Sequence, residues 1–207
     1  MIRTLSAIAA ALFLAACGGE PEETVRPEAQ ALEVPELIGA SAWTVDAEAS
    51  SVGFRGTMNG NEFSGDFSNF AIAIVLDPEA PESEGAIKAL IDVGSATASD
   101  SEKTNALPTE TWFHVEAHPV ATFSAETIAS TGPGTYEASG SLSLKGISKA
   151  VSVPFTLTID EAGRAVADAT VQLNRSDFQV GTGEFAEGKW VAFEVAVDLH
   201  IEAEPAN

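Results

Sequence analysis

Two histidines four residues apart, His114 and His118, are the side chains in this sequence best suited to hold a metal ion. With Glu116 between them, they offer the imidazole and carboxylate ligands that zinc accepts. The order differs from the His-Glu-x-x-His pattern of zinc proteases, and Pro119 follows at once, which is typical of a loop or strand. The sequence therefore predicts polar loop residues here and no metal site.

A second pattern that could carry chemistry runs from Gly181 to Ala186 and fits the Gly-x-Gly-x-x-Ala form of a dinucleotide-binding turn. That fingerprint needs a helix after it, whereas Gly188 and a strand follow here, which predicts a simple turn. Asp177, close to Arg175, would form either a catalytic pair or an ion pair that orders a turn, and the second is the prediction. Because the chain also lacks a Gly-x-Ser-x-Gly elbow and a phosphate-binding loop, we predict that it is not an enzyme.

The single cysteine, Cys17, follows a short basic start, an apolar run from Leu5 to Leu14 and two alanines. This arrangement is typical of a secretory signal peptide, predicted over residues 1–16, and the apolar run is too short to span a membrane. The position of the cysteine resembles the bacterial lipobox, in which the cysteine is lipidated and becomes the mature N-terminus. The alternative is an ordinary signal peptide with an incidental cysteine.

A lipidated Cys17 would place the protein on the periplasmic side of the cell envelope, joined to the membrane through its N-terminal lipid anchor. Gly18 after the cysteine resembles lipoproteins that are sent to the outer membrane. Residues 17–41 are rich in proline and glutamate, which predicts a disordered acidic tether. A single folded domain is predicted over residues 42–204, with a short tail at 205–207.

The formal net charge of the 207 residues is -21, and such a surface repels nucleic acid. Without Cys17 the chain has no thiol, so disulfides and thiolate metal sites are excluded from the domain. No cofactor is predicted. The sequence leaves open whether the protein forms a homodimer.

Alternation of apolar and polar residues recurs along the domain, most clearly from Tyr136 to Lys145. Strands with one apolar and one polar face belong to antiparallel sheets, so the fold class is all-β. Roughly eight such strands are predicted, the number at which a closed barrel can hold one small ligand. A sandwich would show the same alternation, and residues alone do not separate the two.

The inward faces of these strands carry large apolar residues opposite several alanines. Such a mixture either packs tightly or leaves a long apolar cavity, and the sequence does not decide between them. The candidate cavity residues are Phe54, Phe70, Ile72, Ile74, Ile91, Phe123, Leu142, Phe155, Val171 and Phe193.

A long insertion from Ser95 to Pro119 interrupts the alternation, with a short helical turn predicted around Ser101–Leu107. Its aromatic residues would form either a mouth or lid element, or a plug at one end of the barrel. The candidates for a mouth or head-group site are Trp112, Phe113, His114 and Arg175.

Several short motifs occur in an order that is specific when they are taken together. They are Trp43-Thr44-Val45-Asp46, Gly65-Asp66-Phe67-Ser68-Asn69-Phe70, Leu107-Pro108-Thr109-Glu110-Thr111-Trp112-Phe113, His118-Pro119-Val120-Ala121-Thr122-Phe123 and Asn174-Arg175-Ser176-Asp177-Phe178. In this order the chain resembles the YceI-like family of periplasmic, lipocalin-like barrels associated with polyisoprenoid binding. The resemblance extends over about residues 43–203.

The resemblance implies an antiparallel lipocalin-like barrel that binds an isoprenoid-type lipid, such as a polyprenyl chain or a quinone. Together with the predicted anchor, it leads to the interpretation of an envelope lipoprotein with a lipid inside the barrel. The alternative is a structural or interaction lipoprotein whose barrel has a solid core and no ligand.

Overall fold

The computed structural model describes residues 32–206 of the chain. The predicted signal peptide, Cys17 and the predicted tether up to residue 31 lie outside the described residues. Among residues 32–206, no helix combines the length and the apolar character that crossing a membrane requires.

The described residues form a sheet of ten strands with short helices between some of them. The strands are β1 (Ala42–Met58), β2 (Asn61–Phe67), β3 (Phe70–Val75), β4 (Ala86–Asp92), β5 (Ala96–Ala98), β6 (Val120–Gly132), β7 (Thr135–Leu144), β8 (Ile147–Ile159), β9 (Ala165–Asn174) and β10 (Glu194–Pro205). The α-helices are α1 (Pro81–Glu84) and α2 (Ser101–Ala106), and single 3₁₀ turns cover Val93–Ser95, Arg175–Phe178 and Gly183–Phe185.

Every strand pair is antiparallel, and the pairing of β10 with β1 closes the sheet into a barrel. The long strand β1 pairs with β3 near its start and with β2 near its end, so β2 and β3 fill one position in the wall. The strands β4 and β5 fill the next position in the same way, because they pair with β3 and β2 respectively. The wall therefore has eight positions, which confirms the predicted barrel and excludes the sandwich.

Two tight hairpins show how local sequence sets the register. Asn59-Gly60 joins β1 to β2, and Lys145-Gly146 joins β7 to β8; in each pair both residues have positive φ, between 52° and 77°. This is the backbone of a two-residue turn whose twist matches that of the flanking strands, and it explains the glycine in each pair. The hairpin then determines which residues of the two strands face inward.

The long insertion contains the predicted helical turn, which is confirmed as α2. The carboxylate of Asp100 accepts a hydrogen bond of 2.8 Å from the backbone N–H of Lys103 and so caps the helix. After the helix, the chain turns back and buries Leu107, Phe113 and Val115. The insertion therefore contributes to the hydrophobic core.

The outer face of β9 and β10 carries a row of polar contacts. Arg55 forms a bidentate pair with Asp198, at 2.6 and 2.8 Å, and this guanidinium lowers the pKa of the Asp198 carboxyl to about 2. His200 lies on the same face, with its Nδ1 at 2.7 Å from the carboxylate of Asp168. The hydrogen bond to that carboxylate raises the pKa of His200 above its usual value of 6.5.

We expect the Asp168→Asn substitution to lower the pKa of His200 toward 6.5, because it removes the carboxylate that favours the protonated ring. Since the folded pKa lies above the unfolded one, the stabilisation by His200 is complete below about pH 6.5 and is lost as the pH rises through the folded pKa. Histidine ring shifts followed by NMR against pH measure the effect. An unchanged His200 titration in the variant would contradict it.

Candidate functional site

The barrel contains an apolar cavity of about 180 Å³ that extends along most of its length. Its lining consists of aliphatic and aromatic side chains from eight of the ten strands and Leu76. Trp43 is the one lining residue with a polar side-chain atom, and its Nε1–H donates a hydrogen bond of 2.9 Å to the carbonyl of Leu76. The cavity therefore offers no free polar side-chain group to a ligand.

Alanines on one side of the barrel explain why the interior is hollow. The inward row of β9 begins with Ala165, Ala167 and Ala169, and all three line the cavity. They stand beside long inward side chains of β8, such as Phe155 and Leu157, which remain only partly buried. The small alanine side chains leave space that the neighbouring large residues do not fill. The structure therefore shows a hollow barrel and not the solid core of the alternative interpretation.

One end of the barrel is closed by a dense core. It contains Phe54, Val93, Ala96, Leu107, Phe113, Val115, Ala121, Phe178 and Val180, all buried. At the opposite end, the hydroxyl of Tyr136 donates a hydrogen bond of 3.1 Å to the carbonyl of Pro78, which holds the loop before α1 against the barrel. Ile159, the last inward residue of β8, is 44% exposed at this second end.

Seven of the ten candidate cavity residues line the cavity in the structure. These are Ile72, Ile74, Ile91, Phe123, Leu142, Phe155 and Val171. Phe54 belongs instead to the core of the closed end, where its ring centroid lies 5.4 Å from that of Phe67. Phe70 is also absent from the lining.

The cavity position predicted for Phe193 was wrong, because Phe193 does not line the cavity. Phe193 comes just before Glu194, where β10 begins, and its carbonyl accepts a hydrogen bond of 2.9 Å from the backbone N–H of Arg175, beyond the end of β9. Its side chain is 36% exposed, and its ring lies 5.3 Å from the Arg175 guanidinium. The cavity-lining position of Trp43 was not predicted. An irregularity in β1 between Asp46 and Ser51 interrupts the alternation that would have connected Trp43 to the inward row.

The mouth position predicted for Trp112, Phe113 and His114 was also wrong. Phe113 is 8% exposed inside the closed-end core, and Trp112 packs against the same core with its ring 5.1 Å from that of Phe185. His114 has a positive φ of 53°, and its ring centroid lies 5.6 Å from that of His118. None of these residues lines the cavity, so the segment plugs one end of the barrel.

Arg175, the candidate for head-group binding, is 4% exposed, and backbone carbonyl groups accept hydrogen bonds from its whole guanidinium group. Its five N–H groups donate to five carbonyl oxygens at 2.5–2.9 Å, those of Val180, Gly181, Phe185, Val191 and Ala192. Burial lowers the pKa of Arg175, and the predicted ion pair with Asp177 is not among the ion pairs of the described residues. Arg175 therefore orders the loop that closes the barrel end and has no donor left for a ligand.

Metal ligands are not gathered anywhere in residues 32–206, where no group of three His, Cys, Asp or Glu side chains is placed to hold an ion.

The wall of the barrel is incomplete between β8 and β9. Backbone pairing joins them from Phe155–Ala169 to their hairpin, but within the described chain residues 147–154 of β8 do not pair with residues 170–174 of β9. Pro154 stands where this ladder stops, and a proline has no N–H with which to continue it. We call this unpaired stretch the β8–β9 seam.

Cavity-lining side chains stand on both sides of the β8–β9 seam. Val151 of β8 and Leu173 of β9 line the cavity and are only partly buried. The cavity is therefore separated from solvent at this place by side chains and not by a hydrogen-bonded backbone.

Solved structures of other proteins share this architecture. BcnA from Burkholderia cenocepacia matches with a TM-score of 0.73 and 30% identity, over 77% of this chain and 99% of that one. The YCEI protein of Campylobacter jejuni matches with a TM-score of 0.61 and 18% identity, over 69% and 85%. A domain from Saccharophagus degradans described as polyisoprenoid-binding matches with a TM-score of 0.63 and 14% identity, over 81% and 100%.

The antiparallel barrel of eight wall positions and its apolar interior define a lipocalin-like β-barrel. The chain belongs to the YceI-like domain family, which matches residues 43–203. A UPF0312 protein of Azotobacter vinelandii is 29% identical over 89 residues, which are 43% of this chain and 46% of that protein. The chain thus aligns with just under half of the length of this curated relative.

Proposed function

We propose that this protein is an envelope lipoprotein, not an enzyme, that binds the chain of an isoprenoid-type lipid, such as a polyprenyl compound or a quinone, inside its barrel. The observation that supports this most directly is the cavity, whose lining is hydrocarbon except for one indole nitrogen that is already hydrogen-bonded. The similarity to the polyisoprenoid-binding domain of Saccharophagus degradans adds to this support. No cofactor is needed for this function.

Burial of the apolar chain supplies the binding free energy, about 25 cal/mol for each Å² of apolar surface that leaves water. A dry apolar cavity of about 150 Å³ is large enough for a benzene molecule. The cavity of about 180 Å³ thus accepts a segment of a branched hydrocarbon chain. A longer chain requires partly buried side chains such as Phe155 and Leu157 to move aside.

The N-terminal motif supports attachment to the membrane. Lipidation of Cys17 with two or three acyl chains would give stable anchoring, which a single chain does not. In this proposal the residues between Cys17 and β1 hold the barrel close to the membrane that contains its ligand, with the outer membrane as the expected location. Metabolic labelling with a radioactive fatty acid, in the wild-type chain and in Cys17→Ser, tests the anchor.

The ligand is tested by native mass spectrometry of the full chain purified from bacterial envelopes, followed by extraction of bound lipid. We expect a polyprenyl or quinone mass at close to one molecule per protein. A protein that emerges empty, and that takes up no added farnesol or short-chain quinone, would overturn the proposal.

A further inference from the structure

Lys149 holds an unusual position in this barrel. Its register partner on β7 is Leu142, which lines the cavity, and residues opposite each other in an antiparallel pair point to the same face. The neighbours of Lys149 in the inward row of β8 agree, because Ile147 packs on the closed-end core and Val151 lines the cavity. Lys149 therefore leaves the backbone toward the inside of the barrel.

The side chain of Lys149 is nevertheless exposed. A lysine that starts on an apolar inner face keeps its ammonium group in water by extending its aliphatic stem along the apolar surface. Lys149 belongs to the part of β8 that has no backbone ladder to β9, which is the β8–β9 seam that begins at Pro154. Its inward start and its exposed side chain therefore occur together beside an unpaired stretch of the wall.

Most other cations in the described residues are already engaged. Ion pairs, backbone carbonyls or an aromatic ring hold six of them, which are Arg55, Lys103, Lys145, Arg164, Arg175 and Lys189. Lys88 and Lys149 remain without such a contact in residues 32–206. Lys88 lies between the cavity-lining Ile87 and Ala89 of β4, so it points to the outer face.

We propose that the β8–β9 seam is the opening through which the polar end of the ligand leaves the barrel, and that Lys149 binds an anionic head group there. The proposal rests on the proposed function, binding of an apolar chain in the barrel, and specifies a carboxylate or a phosphate at the end of that chain. The apolar chain lies in the cavity, and the ammonium group of Lys149 donates charge-assisted hydrogen bonds to the head-group oxygens.

The net charge of -21 opposes an anionic ligand at long range. At physiological salt, however, exposed charges farther apart than about 8 Å are largely screened. Contact between the Lys149 ammonium group and the head-group oxygens acts over a distance much shorter than this, so it is screened less than the field of the distant acidic residues. The local pairing therefore determines the preference once the chain is bound.

The test compares ligands that differ only in head-group charge. The full chain is titrated calorimetrically with farnesyl phosphate and farnesol, and with palmitoleate and palmitoleyl alcohol, each below its critical micelle concentration. The variants are Lys149→Gln, which removes the charge, and Lys88→Gln, a matched control at the other lysine without a partner. Circular dichroism verifies that both variants are folded.

We expect the wild-type chain to bind one of the acids about tenfold more tightly than the matching alcohol. Lys149→Gln should remove this preference without weakening alcohol binding, and Lys88→Gln should leave it intact. The acid with the larger loss identifies the head group as phosphate or carboxylate. If the alcohols bind as tightly as the acids, or if Lys88→Gln loses the preference for the acid as Lys149→Gln does, the role of Lys149 is overturned while the barrel-binding function still stands. Failure of all four ligands to bind would overturn the barrel-binding function as well.

Discussion

Replacing Ala167 with phenylalanine is expected to abolish binding of an apolar chain while the barrel remains folded. Ala167 lines the cavity, and its register partners are Leu157 on β8 and Ile201 on β10, which also line it. A phenyl ring at this position occupies space that the ligand needs. We expect the affinity for farnesol to fall at least tenfold, which is about 1.4 kcal/mol or more.

The stability of the Ala167→Phe variant separates this effect from misfolding. Filling an existing apolar cavity buries more apolar surface, which stabilises the fold, whereas overpacking would cost about 1–3 kcal/mol. We therefore expect a melting temperature equal to or above that of the wild type. Ala150→Phe is the matched control, because Ala150 is exposed and lies on the opposite face of β8 from the cavity-lining Val151. Wild-type affinity in Ala167→Phe would show that the ligand does not occupy the cavity.

Replacing Arg175 with methionine is expected to cost the largest amount of stability of any substitution considered for this barrel. Methionine keeps much of the apolar stem but leaves five carbonyl oxygens without the donors that now satisfy them. Each buried acceptor that loses its partner costs about 1–3 kcal/mol, although water reaches some of them after the loop relaxes. We expect the free energy of unfolding to fall by about 3–5 kcal/mol in total.

Two further substitutions test whether the loss of stability in Arg175→Met comes from the hydrogen bonds of the guanidinium group. Arg175→Lys should also be strongly destabilising, because one ammonium group cannot reach five carbonyls arranged around a planar guanidinium. Arg55→Met removes an arginine from an exposed ion pair with Asp198 and should change the stability little. Urea denaturation of the three variants measures the differences. A loss in Arg175→Met no larger than that in Arg55→Met would mean that the loop is held by other contacts.

The position of most inward side chains could be predicted from the sequence. In β8, alternation places Val151, Val153, Phe155 and Leu157 on one face, and all four line the cavity. The prediction failed where the strand was shorter or less regular than the alternation suggested, as at Phe193 before the start of β10 and at Trp43 before the irregularity in β1. Strand ends and irregularities depend on pairing with other strands, and alternation within one strand does not report them.

The roles of Phe113 and Arg175 could not be read from the residues in the same way. Aromatic residues in a long insertion suit a mouth as well as a plug, and only the packing of Phe113 with eight other buried residues distinguishes the two. An arginine near an aspartate suggests an ion pair, but the carbonyl groups that bind Arg175 are contributed by a loop up to 17 residues away in sequence. Every residue type has a backbone carbonyl group, so the sequence does not indicate which carbonyl groups will accept hydrogen bonds from Arg175.

The all-β class and the antiparallel pairing could be read from the residues alone, because both follow from the period of two in the apolar pattern. Whether the barrel is hollow depends on contacts between strands, which are known only from the fold. The alanines of β9 are visible in the sequence, but the space beside them depends on how far the large side chains of neighbouring strands extend. Pro154 is likewise visible in the sequence, but its effect depends on which strand lies next to it. The β8–β9 seam forms because the β8–β9 ladder stops beside Pro154.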